Sequence, residues 1–276
     1  MAGGRPAGRV EGKVAIVTGA GSRAEGIGNG RAAAVLLARE GARVLLLDRE
    51  ASWLAPTAAL IADEGGEAAT FVADVTDMAD CRRSVAEAAG RWGRLDVLVN
   101  NVGVSGATGT AVDVDPEEWD LTLRVNVTSM MLMSKFAIPE MLKAGGGSIV
   151  NLSSVTALLG GHPALAYPTS KGAVIAMTRA MAAHHGRDGI RVNCICPGFM
   201  YTPMVRVEGM TDEQRERRRL SSLMPEVEGT GWDVGQAVLW LASDDSRFVT
   251  GIALPVDAGT SAGFQMPVPH TGRGGA

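Results

Sequence analysis

Short, nearly continuous runs of Val, Ile and Leu alternate with longer stretches of helical period along almost the whole chain. The strand-like runs are residues 14–18, 44–48, 68–73, 97–100, 149–153, 191–196 and 253–256. Between them, residues 31–40, 80–92, 116–143, 167–184 and 234–242 carry helical periodicity. Strands without polar alternation are covered on both faces, and parallel neighbours need helical crossovers to connect them. The pattern therefore predicts an α/β chain: a doubly wound, seven-stranded, mostly parallel sheet with helices on both faces. No composition shift or Pro/Ser-rich linker divides it, so residues 11–263 are expected to form one domain. Residues 1–10 and 264–276, the latter rich in Gly and Pro, read as tails.

Composition removes several classes of function. A net charge of −4 gives no reason to expect nucleic-acid or anionic-membrane binding. No run of about 18 apolar residues would span a bilayer, and the Gly- and Arg-rich first ten residues lack the apolar core of a secretory signal. Cys81, Cys194 and Cys196 make a poor disulfide framework, which points to a reducing, cytoplasmic setting.

Two regions carry chemistry. The first strand runs into Thr18-Gly19-Ala20-Gly21-Ser22-Arg23-Ala24-Glu25-Gly26-Ile27-Gly28 and then a helix. Glycine allows the tight turn and close backbone approach to a pyrophosphate, which the helix N-terminus attracts. A glycine cluster alone is as readily a mere turn; its position after the first strand strengthens the dinucleotide reading. Some 20 residues beyond Gly28, the second strand ends at Asp48. A carboxylate there accepts the adenosine ribose hydroxyls and repels a 2′-phosphate, favouring NAD over NADP. The plain alternative is a solvated strand-end Asp, and Arg23 and Arg49 are cations able to contact a phosphate. Further on, Tyr167-Pro168-Thr169-Ser170-Lys171 opens a helix. Residues four apart share a helix face, and a cation beside a phenol favours the phenolate a general base needs. Ser154, 13 residues upstream at a strand's carboxyl end, would reach the same crevice. Taken singly, Tyr-x-x-x-Lys is also common on amphipathic surface helices.

In these motifs the chain resembles the short-chain dehydrogenase/reductase family, in its main single-domain branch. The match runs from Glu11 to about Gly263. It adds Asp74-Val75, Asn100-Asn101-Val102-Gly103, Asn126, and Pro197-Gly198 followed by Thr202, all in the family's order. The resemblance implies a Rossmann fold and a catalytic set of Asn126, Ser154, Tyr167 and Lys171. It also implies cofactor contacts from Gly19, Ser22, Arg23, Gly26, Ile27, Gly28, Asp48, Arg49, Asp74, Val75, Asn101, Val102, Gly103, Tyr167, Lys171, Pro197, Gly198 and Thr202. Asp74 and Val75 would meet the adenine, while Asn100, Val102 and Gly103 would support the cofactor and the central strand. Lys171 would hold the nicotinamide ribose, and Pro197, Gly198 and Thr202 the nicotinamide. Asn126 would hold a water joining Lys171 to solvent. The activity implied is hydride transfer between NAD(H) and a secondary alcohol or ketone. The alternatives are a 3-oxoacyl thioester (ACP or CoA) reductase and, from another class, a non-catalytic NAD-sensing protein. Enoyl reduction fits less well, because relatives with that chemistry space the Tyr and Lys further apart. Departures from the family pattern are three extra residues around Arg23-Ala24-Glu25, Val102 in a usual Ala position, and Pro168 after the tyrosine. A homo-oligomer is also implied, a tetramer or dimer built through the helices near residues 116–143 and 167–184, with Met130, Met131, Met133, Met177 and Met181 as apolar contacts.

Other residues have blander readings. Cys194 and Cys196 share a strand face without further ligands nearby, so no metal is expected. His184 and His185 suit a helix C-terminus, and His162, in the loop between Ser154 and Tyr167, reads as a surface or structural residue, the alternative being a contact to substrate. Arg215, Arg217, Arg218 and Arg219 alternate with acids as on a solvated helix face, the alternative being a contact for a phosphate-bearing carrier. Residues 199–228, holding Met200, Met204, Met210 and Met224, correspond to the family's lid over the substrate. The pocket residues expected near Tyr167 are Val104, Ser105, Thr156, Leu159, Leu165 and residues 200–205, mainly apolar, with little to hold a sugar.

Overall fold

The computed structural model describes residues 8–207 and 209–263. Seven parallel strands, β1 (Val14–Thr18), β2 (Arg43–Asp48), β3 (Glu67–Val72), β4 (Val97–Asn100), β5 (Gly147–Leu152), β6 (Ile190–Pro197) and β7 (Ala253–Val256), lie in the order β3-β2-β1-β4-β5-β6-β7. The chain turns back between β1 and β4, so the crevice at the strands' carboxyl ends opens there. Register brings the site's strand ends together, with Thr18 beside Leu47 and Asn100 beside Asn151.

Among the described residues nine α-helices follow in chain order: α1 (Asn29–Arg39), α2 (Ala51–Asp63), α3 (Met78–Trp92), α4 (Pro116–Leu123), α5 (Ser129–Lys143), α6 (Ala166–His185), α7 (Pro203–Val207), α8 (Asp212–Leu220) and α9 (Gly231–Ala242). Side chains alternate across each strand and feed two cores. On one face Ala15, Val17, Val44 and Leu46 pack against α1 and α9 through Leu36, Leu37, Val234 and Val238. On the other, Val14, Ile16, Leu45 and Leu47 join Cys81 and Val85 of α3 and Met133, Ala137 and Met141 of α5. Each fully buried Val, Leu, Ile or Met among them stabilises the fold by about 1.5–3 kcal/mol, and the alanines by less. Met130 and Met133 are buried, whereas Met131 is exposed and Met177 and Met181 half-buried.

Three expectations are revised. The helical stretch 116–143 is interrupted by a π-turn, Arg124–Thr128, between α4 and α5. Helix α2 escaped the periodicity reading, because it buries only Leu54, Thr57 and Ile61 and contains Pro56. The last residues of the expected N-terminal tail are packed down: Val10 is fully buried, and its N–H donates to the Glu40 carbonyl at 3.2 Å. The other tail, 264–276, and residues 1–7 lie outside the described residues. Among the described residues no helix is long and apolar enough to cross a membrane.

Candidate active site

The glycine loop leaves β1 through Gly19, whose φ of +63° an L side chain rarely adopts. Thr18 and Asn101 brace this turn from inside. Thr18 Oγ1 donates to the Val99 carbonyl (3.2 Å) and accepts from the Asn101 and Val102 N–H groups (3.0 and 3.3 Å). Asn101 Nδ2 donates to the Thr18 and Gly19 carbonyls at 3.1 and 3.0 Å. At Gly30 a Cβ would lie 2.1 Å from the Gly19 carbonyl oxygen, so helix α1 meets the turn only because glycine stands there. Gly28, by contrast, has open space where a Cβ would project.

Asp48 stands at the end of β2, accepting from the Gly21 N–H (3.1 Å) and the Arg49 N–H (2.9 Å). Burial pushes its carboxyl up, and those two N–H bonds with the charges of Arg49 and Arg23 oppose the shift. Both guanidiniums lie over the Trp53 ring, at 5.8 Å for Arg23 and 5.2 Å for Arg49. Asp74, two residues past β3, accepts from the Thr76 N–H and hydroxyl at 2.8 and 2.7 Å.

At the far end of the same crevice, α6 presents Tyr167 and Lys171 one turn apart. The Lys171 Nζ lies 5.7 Å from the Tyr167 ring centroid and donates to the Leu152 carbonyl at 3.0 Å. Lys171 is only 4% exposed, and burial lowers its pKa from 10.5 to about 8. A Cβ on Gly103 would sit 3.0 Å from that Nζ. Ser154 follows β5 in an extended conformation, its Oγ accepting from the Thr156 N–H at 3.2 Å. Asn126, fully buried in the π-turn, clasps the backbone of Val104: its Oδ1 accepts from the N–H at 2.8 Å, and its Nδ2 donates to the carbonyl at 2.9 Å. The same Nδ2 donates to Ser170 Oγ at 3.0 Å, which in turn donates to the Tyr167 carbonyl at 2.7 Å.

One cavity of about 340 Å³ joins these two ends. Its wall includes Gly19, Ser22, Arg23, Gly28, Asp48 and Arg49 at the adenosine-side end expected from sequence. Asp74, Val75, Asn101, Val102 and Gly103 continue it, and Ser154, Tyr167, Lys171, Pro197, Gly198 and Thr202 complete it. Gly26 and Ile27 are not in the wall; the Gly26 carbonyl instead accepts from Arg31 Nη1 at 2.6 Å. Asn126 stands behind the wall, on Val104. Asn100 is also behind it, buried and donating to Asn151 Oδ1 at 2.9 Å, so it braces the sheet and does not face the cavity. Of the expected pocket residues, Val104, Met200 and residues 202–205 line this cavity, whereas Ser105, Thr156, Leu159 and Leu165 do not. Trp53, Asn29 and Arg218 line it and were missed. An isolated Trp soon after the acidic strand end was the available signal for Trp53.

The arginine run on α8 is mostly paired. Arg215 grips Glu228 through two bonds of 2.6 and 2.5 Å, Arg217 meets Glu213 at 2.9 Å, and Arg219 meets Glu216 at 2.9 and 2.7 Å. Arg218 lies over the Phe199 ring at 4.9 Å. Cys81, Cys194 and Cys196 are buried and free. Burial and neighbouring acids push the Cys81 thiol up to about 12, the form least suited to binding metal. Among the described residues no cluster of His, Cys, Asp and Glu could hold a metal ion.

A family profile described as "Enoyl-(Acyl carrier protein) reductase" matches residues 21–261. The 2-(S)-hydroxypropyl-CoM dehydrogenase 3 of Xanthobacter autotrophicus is 38% identical over 257 residues, covering 92% of this chain and 98% of that protein. The 3-oxoacyl-[acyl-carrier-protein] reductase of Thermotoga maritima is 36% identical, covering 91% and 98%. Among solved structures, a short-chain dehydrogenase/reductase from Burkholderia xenovorans superposes with a TM-score of 0.90 at 40% identity, covering 94% of this chain and 100% of that one. Carveol dehydrogenase from Mycobacterium avium, in complex with NAD, superposes at 0.85 with 32% identity, covering 93% and 100%. Fold, site order and relatives agree, and the chain belongs to the short-chain dehydrogenase/reductase family.

Proposed function

We propose that this protein transfers a hydride between NAD(H) and a secondary alcohol or its ketone, with Tyr167 as the general acid/base. The observation that carries the reading is the juxtaposition of Tyr167, Lys171 and Ser154 in one wall of a cavity that runs on to Asp48. The residues present fit a dinucleotide. Gly28 leaves open space in the wall at the start of α1, and Asn29 Oδ1 is buried there without a partner. Free N–H groups of a helix's first turn suit a pyrophosphate, and the Asp48 carboxylate suits unphosphorylated ribose hydroxyls. The neighbouring Mycobacterium structure was solved with NAD, which supports the same choice.

When bound, the nicotinamide supplies the hydride acceptor or donor. In oxidation, Tyr167 takes the hydroxyl proton as the carbinol carbon loses its hydride; in reduction it returns that proton to the carbonyl oxygen. Ser154 donates a hydrogen bond to the same oxygen as charge develops on it. Lys171, held by the Leu152 carbonyl, favours the phenolate and presents its ammonium to ribose hydroxyls. Asn126 positions the Val104 segment and Ser170 behind Lys171, and the water relay assigned to it by resemblance belongs to this proposal.

Tyr167→Phe is expected to lower turnover by at least about 100-fold, with NADH affinity within about threefold of wild type, because the hydroxyl is needed for proton transfer while the many other expected cofactor contacts are kept. Absorbance at 340 nm over a panel of secondary alcohols and ketones reads the first, and NADH fluorescence titration the second. Near-wild-type turnover would overturn the assignment; tight cofactor binding with no turnover on the panel would favour the NAD-sensing alternative. The 3-oxoacyl thioester reading draws on the Thermotoga relative, but the paired arginines of α8 leave little free charge for a phosphate-bearing carrier. The mainly apolar lid residues suit a small, uncharged substrate. The reduced, buried cysteines support a cytoplasmic setting.

A further inference from the structure

Helix α7 contributes Pro203, Met204, Val205 and Val207 to the cavity wall, whereas Arg206 turns away to the opposite lip. Its Nη2 donates to the carbonyl of Glu25. Glu25 lies in the Arg23-Ala24-Glu25 stretch, which the family resemblance marks as the extra length of this glycine loop. The contact depends on the next residue being small: a Cβ on Gly26, where φ is +109°, would lie 2.5 Å from Arg206 Nη2 and 3.5 Å from Pro203 Cγ. The same turn is held from beneath by α1. Arg31, 6% exposed, donates through Nη1 to the Gly26 carbonyl at 2.6 Å and through Nε to Thr57 Oγ1 at 2.9 Å. Thr57 passes the support on to the Ala20 carbonyl at 2.8 Å. Consecutive carbonyls of the inserted turn are thus taken by two arginines, one from the rigid first helix and one from the lid.

The lid end of this contact is anchored as well. Tyr201 lies between two guanidiniums, with Arg206 at 5.7 Å and Arg215 at 3.8 Å from its ring centroid, and Arg215 is paired with Glu228 just before α9. The glycine loop and α7 both contribute residues to the wall of one cavity, so the contact between Arg206 and Glu25 joins two sides of it.

We propose that Arg206 is a positioning residue: it latches the lid helix to the inserted segment of the glycine loop and so sets how fast a bound dinucleotide is released. This rests on the dinucleotide reading of the cavity given above. Because the acceptor is a backbone carbonyl, the Glu25 side chain is dispensable.

The test is NADH release, followed by stopped-flow displacement of bound-NADH fluorescence, in wild type, Arg206→Ala, Arg206→Lys and Glu25→Ala. An exposed, charge-assisted hydrogen bond of this kind predicts release about three- to tenfold faster in Arg206→Ala. Arg206→Lys should be intermediate and Glu25→Ala unchanged. Hydrogen exchange on the nucleotide-free protein supplies a second readout. Amides of residues 21–28 and 202–207 should exchange faster together in Arg206→Ala, while those of β1 and α1 stay protected. NADH that binds normally but leaves Arg206→Ala at the wild-type rate would overturn the latch and leave the oxidoreductase reading intact. Wild-type protein that binds neither NADH nor NADPH would overturn the cofactor reading, and with it the latch as a gate.

Discussion

Lys171 shows how a single side chain is set by its surroundings. Its ammonium is buried against the Leu152 carbonyl, and desolvation draws its pKa from 10.5 down to about 8. Between about pH 8 and 10.5 the unfolded chain therefore binds more protons than the folded one, and this group's contribution to stability rises with pH across that window. Below pH 8 the cost of the buried ammonium is present in full, on the order of 3 kcal/mol. Lys171→Met should therefore gain stability relative to wild type most clearly at pH 7, and less at pH 10, in paired urea titrations; a difference independent of pH would show that Lys171 does not titrate in the fold. Gly103 acts on the same group by leaving it room. A methyl at Gly103, 3.0 Å from Nζ and 3.4 Å from Asn126 Oδ1, forces one of them to shift. Gly103→Ala is expected to reduce kcat about tenfold or more, with a melting temperature within a few degrees of wild type. Tyr167, Lys171 and Ser154 were legible in the sequence because their chemical types and spacing announce them. The steric role of Gly103 was not, because it depends on a lysine 68 positions away.

The same division holds for elements. The strands were read to within two residues at each end, since their apolar runs reflect burial on both faces. The π-turn at Arg124–Thr128 was not read, because its cause is tertiary: Asn126 turns inward to take both backbone groups of Val104 in a loop 22 residues earlier. A π-turn inside a helical segment commonly marks a functional position. Asn126→Ala strands the Val104 N–H and carbonyl and should cost about 1–3 kcal/mol, measured by thermal unfolding, with the loop 102–107 losing hydrogen-exchange protection. An unchanged melting temperature would mean that water replaces the side chain at no cost. Helix α2 was missed for the opposite reason. It lies mostly exposed on the sheet's edge, so its sequence carries little periodicity, yet it delivers Trp53 to the cavity beside Asp48.

At the scale of the whole molecule, α5 and α6 leave Met131 exposed and Met177 and Met181 half-buried, while Met130 and Met133 are spent on the core. The homo-oligomer that the family resemblance implies, a tetramer or dimer through those helices, predicts a sedimentation mass of four or two times 28.6 kDa at micromolar concentration; a monomer would contradict it. Lys or Glu at Met131 should weaken the assembly if the face is used. By itself the sequence determined the strand–helix alternation and the parallel sheet, and it singled out the glycine turn after β1 and the side chains of Tyr167, Ser154 and Lys171, because period, residue type and short spacing encode local geometry and reactive groups. Only the tertiary structure decided which residues face the cavity and which brace it from behind. It placed Asn100 and Asn126 in the frame, brought Trp53 and Arg218 to the wall, and joined Arg206 to a turn 181 residues earlier. Contacts across such separations follow from how the sheet and helices pack, and no local pattern in the chain records them.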